Sequence, residues 1–307
     1  MENQTVLYTL VLSGLSDLPS LQFPLFLVFL LVYLMTLTGN LLIVLLICTD
    51  SHLQTPMYFF LGTLACLDMG YSSVTIPRML FDFHTQSKII SLQACITQIY
   101  FFVFFLISEL VLLAVMSYDR YIAICRPLHY KQIMHWKACV LLVLGVLMIS
   151  MLYPLVHVLF LLKLTFCRLN PLQSFFCDLP QLLLVSCSDT FINLLLILIL
   201  AIFLGGGIFA LTFCPYIIIL NTIMKMSKAM RSKAFSTCSS HLTVVFLVYG
   251  TLFFSYFHPN AKDHSAVDKV VSVFYTILTP LVNPLIYSLR NEIMKISLKR
   301  SLRTLIF

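Results

Sequence analysis

Charged residues divide this chain into long segments that contain almost none. Residues 18–49, 138–162, 190–224, 234–261 and 270–289 carry no Asp, Glu, Lys or Arg. Residues 51–77 carry only Asp68, and residues 89–118 only Glu109. Each of these seven segments supplies the ~20 apolar residues that cross a hydrocarbon core roughly 30 Å thick. With 60% hydrophobic and 10% charged residues, the chain could not cover a soluble globule with polar surface. The same numbers exclude a secreted mini-protein, a disordered regulator and a nucleic-acid-binding module. Within a bilayer only helices and closed barrels satisfy their own backbone. The segments are continuously apolar rather than alternating, which selects helices. The expectation is an all-α membrane protein, a bundle of seven helices near 24–48, 57–81, 95–121, 139–162, 195–224, 240–258 and 269–289.

The positions of Lys and Arg orient the bundle. Arg120, Arg126, Lys131, Lys137, Lys225, Lys228, Arg231, Lys233, Arg290, Lys295, Lys299, Arg300 and Arg303 fall on one side. The other side holds only Arg78, Lys88, Lys163, Arg168, Lys262 and Lys269. The richer side is cytoplasmic, which places the N-terminus outside. Asn3-Gln4-Thr5 is a glycosylation tripeptide on that outer side. Residues 1–20 lack the basic start of a cleavable signal, so the first span is expected to act as its own anchor. The chain reads as one membrane domain: outer N-terminus 1–23, bundle 24–289 and cytoplasmic tail 290–307. Residues 290–303 are expected to form a basic amphipathic helix lying on membrane lipid.

Cys95, Cys167, Cys177 and Cys187 face the oxidising side. Four cysteines allow three connectivities. The favoured pairing is Cys95–Cys177, pinning the second outer loop over the bundle mouth, with Cys167–Cys187 closing a local loop. One bridge with two free thiols is the alternative.

Several strings are specific. Met116-Ser-Tyr-Asp-Arg-Tyr-Ile-Ala-Ile-Cys125 closes the third span and Asn283-Pro-Leu-Ile-Tyr287 closes the seventh. The pair resembles the rhodopsin-like G-protein-coupled receptors. Leu53-Gln-Thr-Pro-Met-Tyr-Phe-Phe-Leu61, Arg126-Pro-Leu-His-Tyr130 and Lys233-Ala-Phe-Ser-Thr-Cys-Ser-Ser-His241 narrow the resemblance to the odorant (olfactory) receptors, and the short third outer loop, residues 259–268, resembles their tetrapod-type class II branch. The chain departs from the family pattern at Cys214-Pro215-Tyr216, at Val248-Tyr249-Gly250 and at Ser174 in the second outer loop, where many members carry His.

The resemblance implies a receptor for small, weakly polar volatile molecules that activates a heterotrimeric G protein of the stimulatory, olfactory type and raises cAMP. It implies a plasma-membrane location, in the cilia of olfactory neurons. A receptor of the same family sensing an endogenous metabolite elsewhere in the body is the alternative. By resemblance the switch residues are Asp119, Arg120, Tyr121, Tyr216, His241, Asn283, Pro284 and Tyr287. Arg120 would pair at rest with Asp119 and with polar groups at the base of the sixth span, such as Ser239 or His241. The basic inner loops also have a plainer reading as positive-inside topology and attraction to anionic lipid.

Phe102, Val103, Leu106 and Ile107 occupy the outer part of the third span, where an amine receptor would need a carboxylate. Counting turns back from Arg120 points Phe102, Leu106 and Ile107 into the outer bundle interior. The resemblance adds Leu200, Leu204, Tyr249, Leu252, Tyr256, Val273 and Thr276 as pocket walls, with Tyr256 and Thr276 as hydrogen-bonding groups. Plain helix packing accounts for any one of these positions equally well. Asp68 and Glu109 are intramembrane carboxylates, which face a bundle interior, and two such charges cannot both ionise cheaply when close. They would hold a shared proton or a cation such as Na⁺, with Asn40 and Asn283 as polar partners. No other metal and no cofactor is expected. No catalytic constellation, phosphate loop or polar track across the bundle is present, which argues against an enzyme, a transporter and a channel.

Overall fold

A proline at a helix start costs little, because the N–H it lacks is one of the unpaired donors of the first turn. Two spans begin this way, α1 (Pro19–Thr49) and α2 (Pro56–Thr85), in the computed structural model of the chain. The structure describes residues 9–16, 18–167, 171–257, 266–290 and 292–306. Side chains cap the next elements. Ser91 Oγ accepts from Ala94 N at 3.2 Å to start α3 (Leu92–Cys125). After the short α4 (Tyr130–Ile133), His135 Nδ1 accepts from Ala138 N at 3.0 Å to start α5 (Trp136–Leu161). Asp178 Oδ1 accepts from Leu179 N at 2.8 Å and caps α6 (Leu179–Leu184), which lies within the second outer connection.

The fifth span is composite: α7 (Phe191–Leu200), a π-helical turn (Ala201–Gly205) and α8 (Gly206–Met224). The sixth is α9 (Lys228–Phe257). The seventh joins α10 (Ala266–Val273), a second π-helical turn (Phe274–Leu278) and α11 (Thr279–Arg290), and α12 (Glu292–Ile306) follows it. The expected seven-helix bundle is thus present. Six spans hold a long, strongly apolar stretch, and in α9 the apolar stretch is the shorter Cys238–Phe254.

The helices overrun the expected spans at most ends. α1 has 31 residues, roughly 46 Å at 1.5 Å per residue, more than the hydrocarbon core needs. Charge marks where the bilayer ends, and a helix can continue into water beyond it. Lys228, Arg231 and Lys233 therefore belong to α9, and the third inner connection is a tight turn. Prolines 24, 77, 154, 215 and 284 lie inside helices, which a membrane bundle tolerates because neighbours re-satisfy the freed groups. Gly205, Gly206 and Gly207 sit at the end of the first π-helical turn, and a Cβ on any of them would meet nothing within 4 Å. They do not serve close helix packing.

The N-terminal segment is not a free tail. Residues Thr9–Val11 (β1) pair antiparallel with Ile89–Ser91 (β2), Leu10 opposite Ile90. Leu12 and Ser13 continue the contact through backbone bonds to Lys88 O and Leu172 O. Apolar alternation drives this, because Leu10, Leu12, Ile90 and Leu172 are all buried in one outer cluster with Cys95 and Cys177. The main core runs between α1, α2, α3, α9 and the seventh span. A third cluster, with Tyr216, Ile219, Ile223 and Cys238, joins α8 to α9 at the inner end.

Candidate functional site

Three layers of the bundle hold the residues with chemistry: an aromatic plug at the outer end, a carboxylate pair at mid-height and a buried charge pair at the inner end. The outer layer is fixed by covalent bonds. Cys95 at the start of α3 is joined to Cys177, with Cα atoms 5.4 Å apart, and Cys167 to Cys187 at 5.9 Å. Gln98, one turn after Cys95, accepts from Cys177 N through Oε1 at 2.9 Å and donates to Val74 O through Nε2 at 3.0 Å. The second outer loop is therefore tied to both α2 and α3.

That tie drives Phe175 and Phe176 into the bundle mouth. The Phe176 ring lies 5.0 Å from Phe102, 6.4 Å from Tyr275 and 5.1 Å from Phe175. Phe102 also meets Tyr71 at 5.3 Å. Offset and edge-on contacts of this kind each add about 0.5–1.5 kcal/mol to apolar burial. Phe102, Leu106, Ile107 and Thr276 are buried in this region, while Val103, Leu252 and Val273 are half-buried beside it. Leu200 and Leu204 are half-buried on the fifth span. Two polar candidates are already engaged. Thr276 Oγ1 donates to Ser272 O at 2.6 Å, and Tyr249 shares a 3.0 Å hydrogen bond with Thr212 that joins α9 to α8. The Tyr256 side chain and Asn3 lie outside the described residues. Asp178 stands next to the bridge, outside the membrane-spanning segments, and burial raises its carboxyl to about 6.

At mid-height α2, α3 and α11 bring Asp68, Glu109 and Asn283 together, all buried. Asn283 Nδ2 donates to Asp68 Oδ1 and Oδ2 at 3.2 and 3.0 Å and reaches Glu109 Oε1 at 3.3 Å. Asn40 is not part of this group, contrary to expectation. Its Nδ2 donates to Thr36 O and Pro280 O, both at 3.0 Å, so it fastens α1 to the seventh span. The seventh span exposes that carbonyl because Pro284, four residues on, has no N–H to bond it.

At the inner end Arg120 Nε donates to Asp119 Oδ2 at 3.0 Å, and Arg120 Nη2 bonds the same oxygen. Tyr130 donates to Asp119 Oδ1 at 2.7 Å, so the carboxylate is held from two sides. His241 does not take the expected place against Arg120. Its Nδ1 bonds the Tyr216 hydroxyl, with the rings stacked at 5.8 Å, which ties α8 to α9. Tyr121 is half-buried against the cluster at that junction. Pro284 and Tyr287 are buried on α11, and among the described residues the Tyr287 hydroxyl has no hydrogen-bond partner.

The model of the olfactory receptor family matches residues 29–304. The chain belongs to the olfactory receptor family. It is 46% identical to human olfactory receptor 5B12 over 98% of this chain and 96% of that one. It is 48% identical to human olfactory receptor 7C1 over 98% and 94%. The crystal structure of squid rhodopsin matches 99% of this chain and 93% of that chain with a TM-score of 0.73 at 16% identity, a likeness of fold alone. This olfactory receptor is accordingly a multi-pass membrane protein and a signalling receptor rather than an enzyme. Phe176, Tyr71, Tyr275, Asp178 and Tyr130 were not among the residues expected at the site. The adjacency of Phe175-Phe176 to Cys177 was the available signal, because a bridge to α3 must carry those rings to the bundle mouth.

Proposed function

We propose that this receptor binds a small, weakly polar volatile molecule among Phe102, Leu106, Ile107, Tyr249, Leu252, Tyr256, Val273 and Thr276, and couples it to a stimulatory, olfactory-type Gα that raises cAMP. The observation that carries this reading is the apolar aromatic plug in a chain of the olfactory receptor family. A ligand enters by displacing Phe176 from Phe102 and Tyr275, exchanging ring contacts for its own. Such a site gives its selectivity through shape and one or two hydrogen bonds.

The inner layer is the response element. Release of Arg120 from Asp119, with loosening of the Tyr216–His241 tie, lets α9 swing outward and opens a cavity for the C-terminal helix of Gα. Both events belong to a two-state bundle whose populations a ligand shifts. The carboxylate pair carries either a shared proton or a Na⁺ ion. Its hard oxygen donors in a buried site suit a small cation, and Asn283 stabilises whichever charge remains. The ciliary membrane of olfactory neurons is the proposed location.

The test is a cAMP assay in cells expressing the receptor, challenged with a panel of weakly polar volatiles. A ligand-evoked cAMP rise is expected, altered in profile by Tyr256→Phe or Thr276→Ala. Ligand-evoked currents in cells without Gα would overturn the reading.

A further inference from the structure

The N-terminal segment ties together the two elements that carry the rings of the aromatic plug. On one side it is anchored to the second outer loop. Leu172 N donates to Val11 O, and Ser13 N donates to Leu172 O, both at 2.8 Å. Leu172 shortly precedes Phe175 and Phe176 in that loop. On the other side Lys269 of α10 reaches back, and its Nζ donates to Gly14 O at 2.8 Å. Tyr275 follows Lys269 on the same span, about 9 Å further in at the helical rise. We propose that residues 9–14 are a strap across the mouth of the bundle, that Lys269 is its latch, and that the latched strap shuts the water-side route to the plug.

The two ends of the strap are built differently. At the loop end β1 is paired with β2 just before α3. Leu10, Leu12, Ile90 and Leu172 are buried there with Cys95 and Cys177, and the bridge between those cysteines fixes the cluster. Opening this end would break a ladder and expose four large apolar side chains. The bond at the α10 end is made by an ammonium on a flexible four-carbon stem. That group can exchange a carbonyl for water with little rearrangement of the chain around it. The strap therefore yields at Lys269 and stays anchored at Leu172.

The latch and the plug act in series. Phe176 on the loop and Tyr275 on the seventh span lie 6.4 Å apart, and the strap joins the same two elements further out. Parting the two rings moves loop and span against each other and stretches the bond from Lys269 to Gly14. The latched strap in turn holds the rings together. Lys269 and Val273 are four residues apart on α10 and share one face of it. Val273 is half-buried against the main core, so the face that holds the strap continues inward to the plug. This inference rests on the proposed pocket for what passes the strap, whereas closure is a property of the outer end itself.

The experiment uses the full-length receptor in lipid discs, carrying Val273→Cys as a reporter. The probes are a permanently cationic and an anionic methanethiosulfonate, neither of which crosses lipid, and modification of residue 273 is followed by peptide mass spectrometry. Adding Lys269→Met should speed modification by both reagents about tenfold, the size of one hydrogen bond to a charged group. Amide exchange of residues 12–15 should rise with it, while that of residues 179–187 stays unchanged and shows the outer loop intact. A rise with the cationic reagent alone would reflect the lost charge of Lys269 and would overturn the proposal. So would an unchanged modification rate, or unchanged exchange of residues 12–15. Absence of ligand-evoked cAMP bears on the pocket alone, because these rates need no ligand.

Discussion

One amide nitrogen of Asn283 serves two carboxylates, Asp68 and Glu109. That arrangement is tenable only if the pair sheds charge, since two buried anions at this separation repel strongly. If Na⁺ supplies the neutralisation, Glu109→Gln should abolish the sensitivity of signalling to replacement of Na⁺ by choline. Unchanged Na⁺ sensitivity in that variant would leave a shared proton as the charge-neutralising device. Tyr130 offers a second residue-level test. Its hydroxyl helps hold Asp119 against Arg120, and a net hydrogen bond is worth about 1 kcal/mol. Tyr130→Phe should therefore raise basal cAMP roughly fivefold at equal surface expression, read against an unstimulated control. Asp68 and Glu109 were legible in the sequence because each interrupts an otherwise uncharged segment, and Asp119 and Arg120 because they stand in the Met116–Cys125 string. The Tyr130–Asp119 bond and the Tyr216–His241 pair were not, because nothing in a linear pattern says which tyrosine meets which acceptor.

The outer loop is the element on which the site depends most. Cys95–Cys177 spans 82 residues and Cys167–Cys187 spans 20. Loop-closure entropy assigns about 4.5 kcal/mol to the longer bridge and about 3 kcal/mol to the shorter. Cys95→Ser with Cys177→Ser should accordingly reduce surface delivery further than Cys167→Ser with Cys187→Ser, measured by antibody staining of intact cells. Asp178 adds a pH dependence to the same loop. Burial raises its carboxyl to about 6, above roughly 3.9 for a free Asp. The loop is therefore held best below about pH 4 and loses that contribution as pH rises through about 6. Amide hydrogen exchange of residues 172–187, corrected for intrinsic rate, should be slower at pH 5 than at pH 7.5, and Asp178→Asn should remove the difference. The seven spans were legible from charge spacing alone. The strand Thr9–Val11 was not, because three residues are too few for a period to declare itself and its stability comes from Ile90 and Leu172, distant in sequence. The π-helical turns at Ala201–Gly205 and Phe274–Leu278 were equally hidden, since they depend on how neighbouring spans pack.

At the scale of the whole molecule, scarcity of charge does three things at once. It drives the chain into the bilayer, it leaves the outer halves of α3 and α9 and all of α7 without a charged side chain, and it isolates a few buried charges, Asp68, Glu109, Asp119 and Arg120. The plug of Phe102, Phe176 and Tyr275 and the tie of Arg120 to Asp119 lie on opposite ends of α3, a continuous helix of 34 residues. In the proposed two-state bundle this rigid element lets a ligand and Gα bias one equilibrium. Linkage then requires the effect to be reciprocal. The most direct measurement is the affinity of an agonist for the purified receptor in a lipid disc, with and without nucleotide-free stimulatory G protein. A coupling of about 1–3 kcal/mol, or roughly 5–150-fold tighter agonist binding in the presence of the G protein, is expected, and Arg120→Ala should erase it. Equal agonist affinity with and without the G protein would contradict the account.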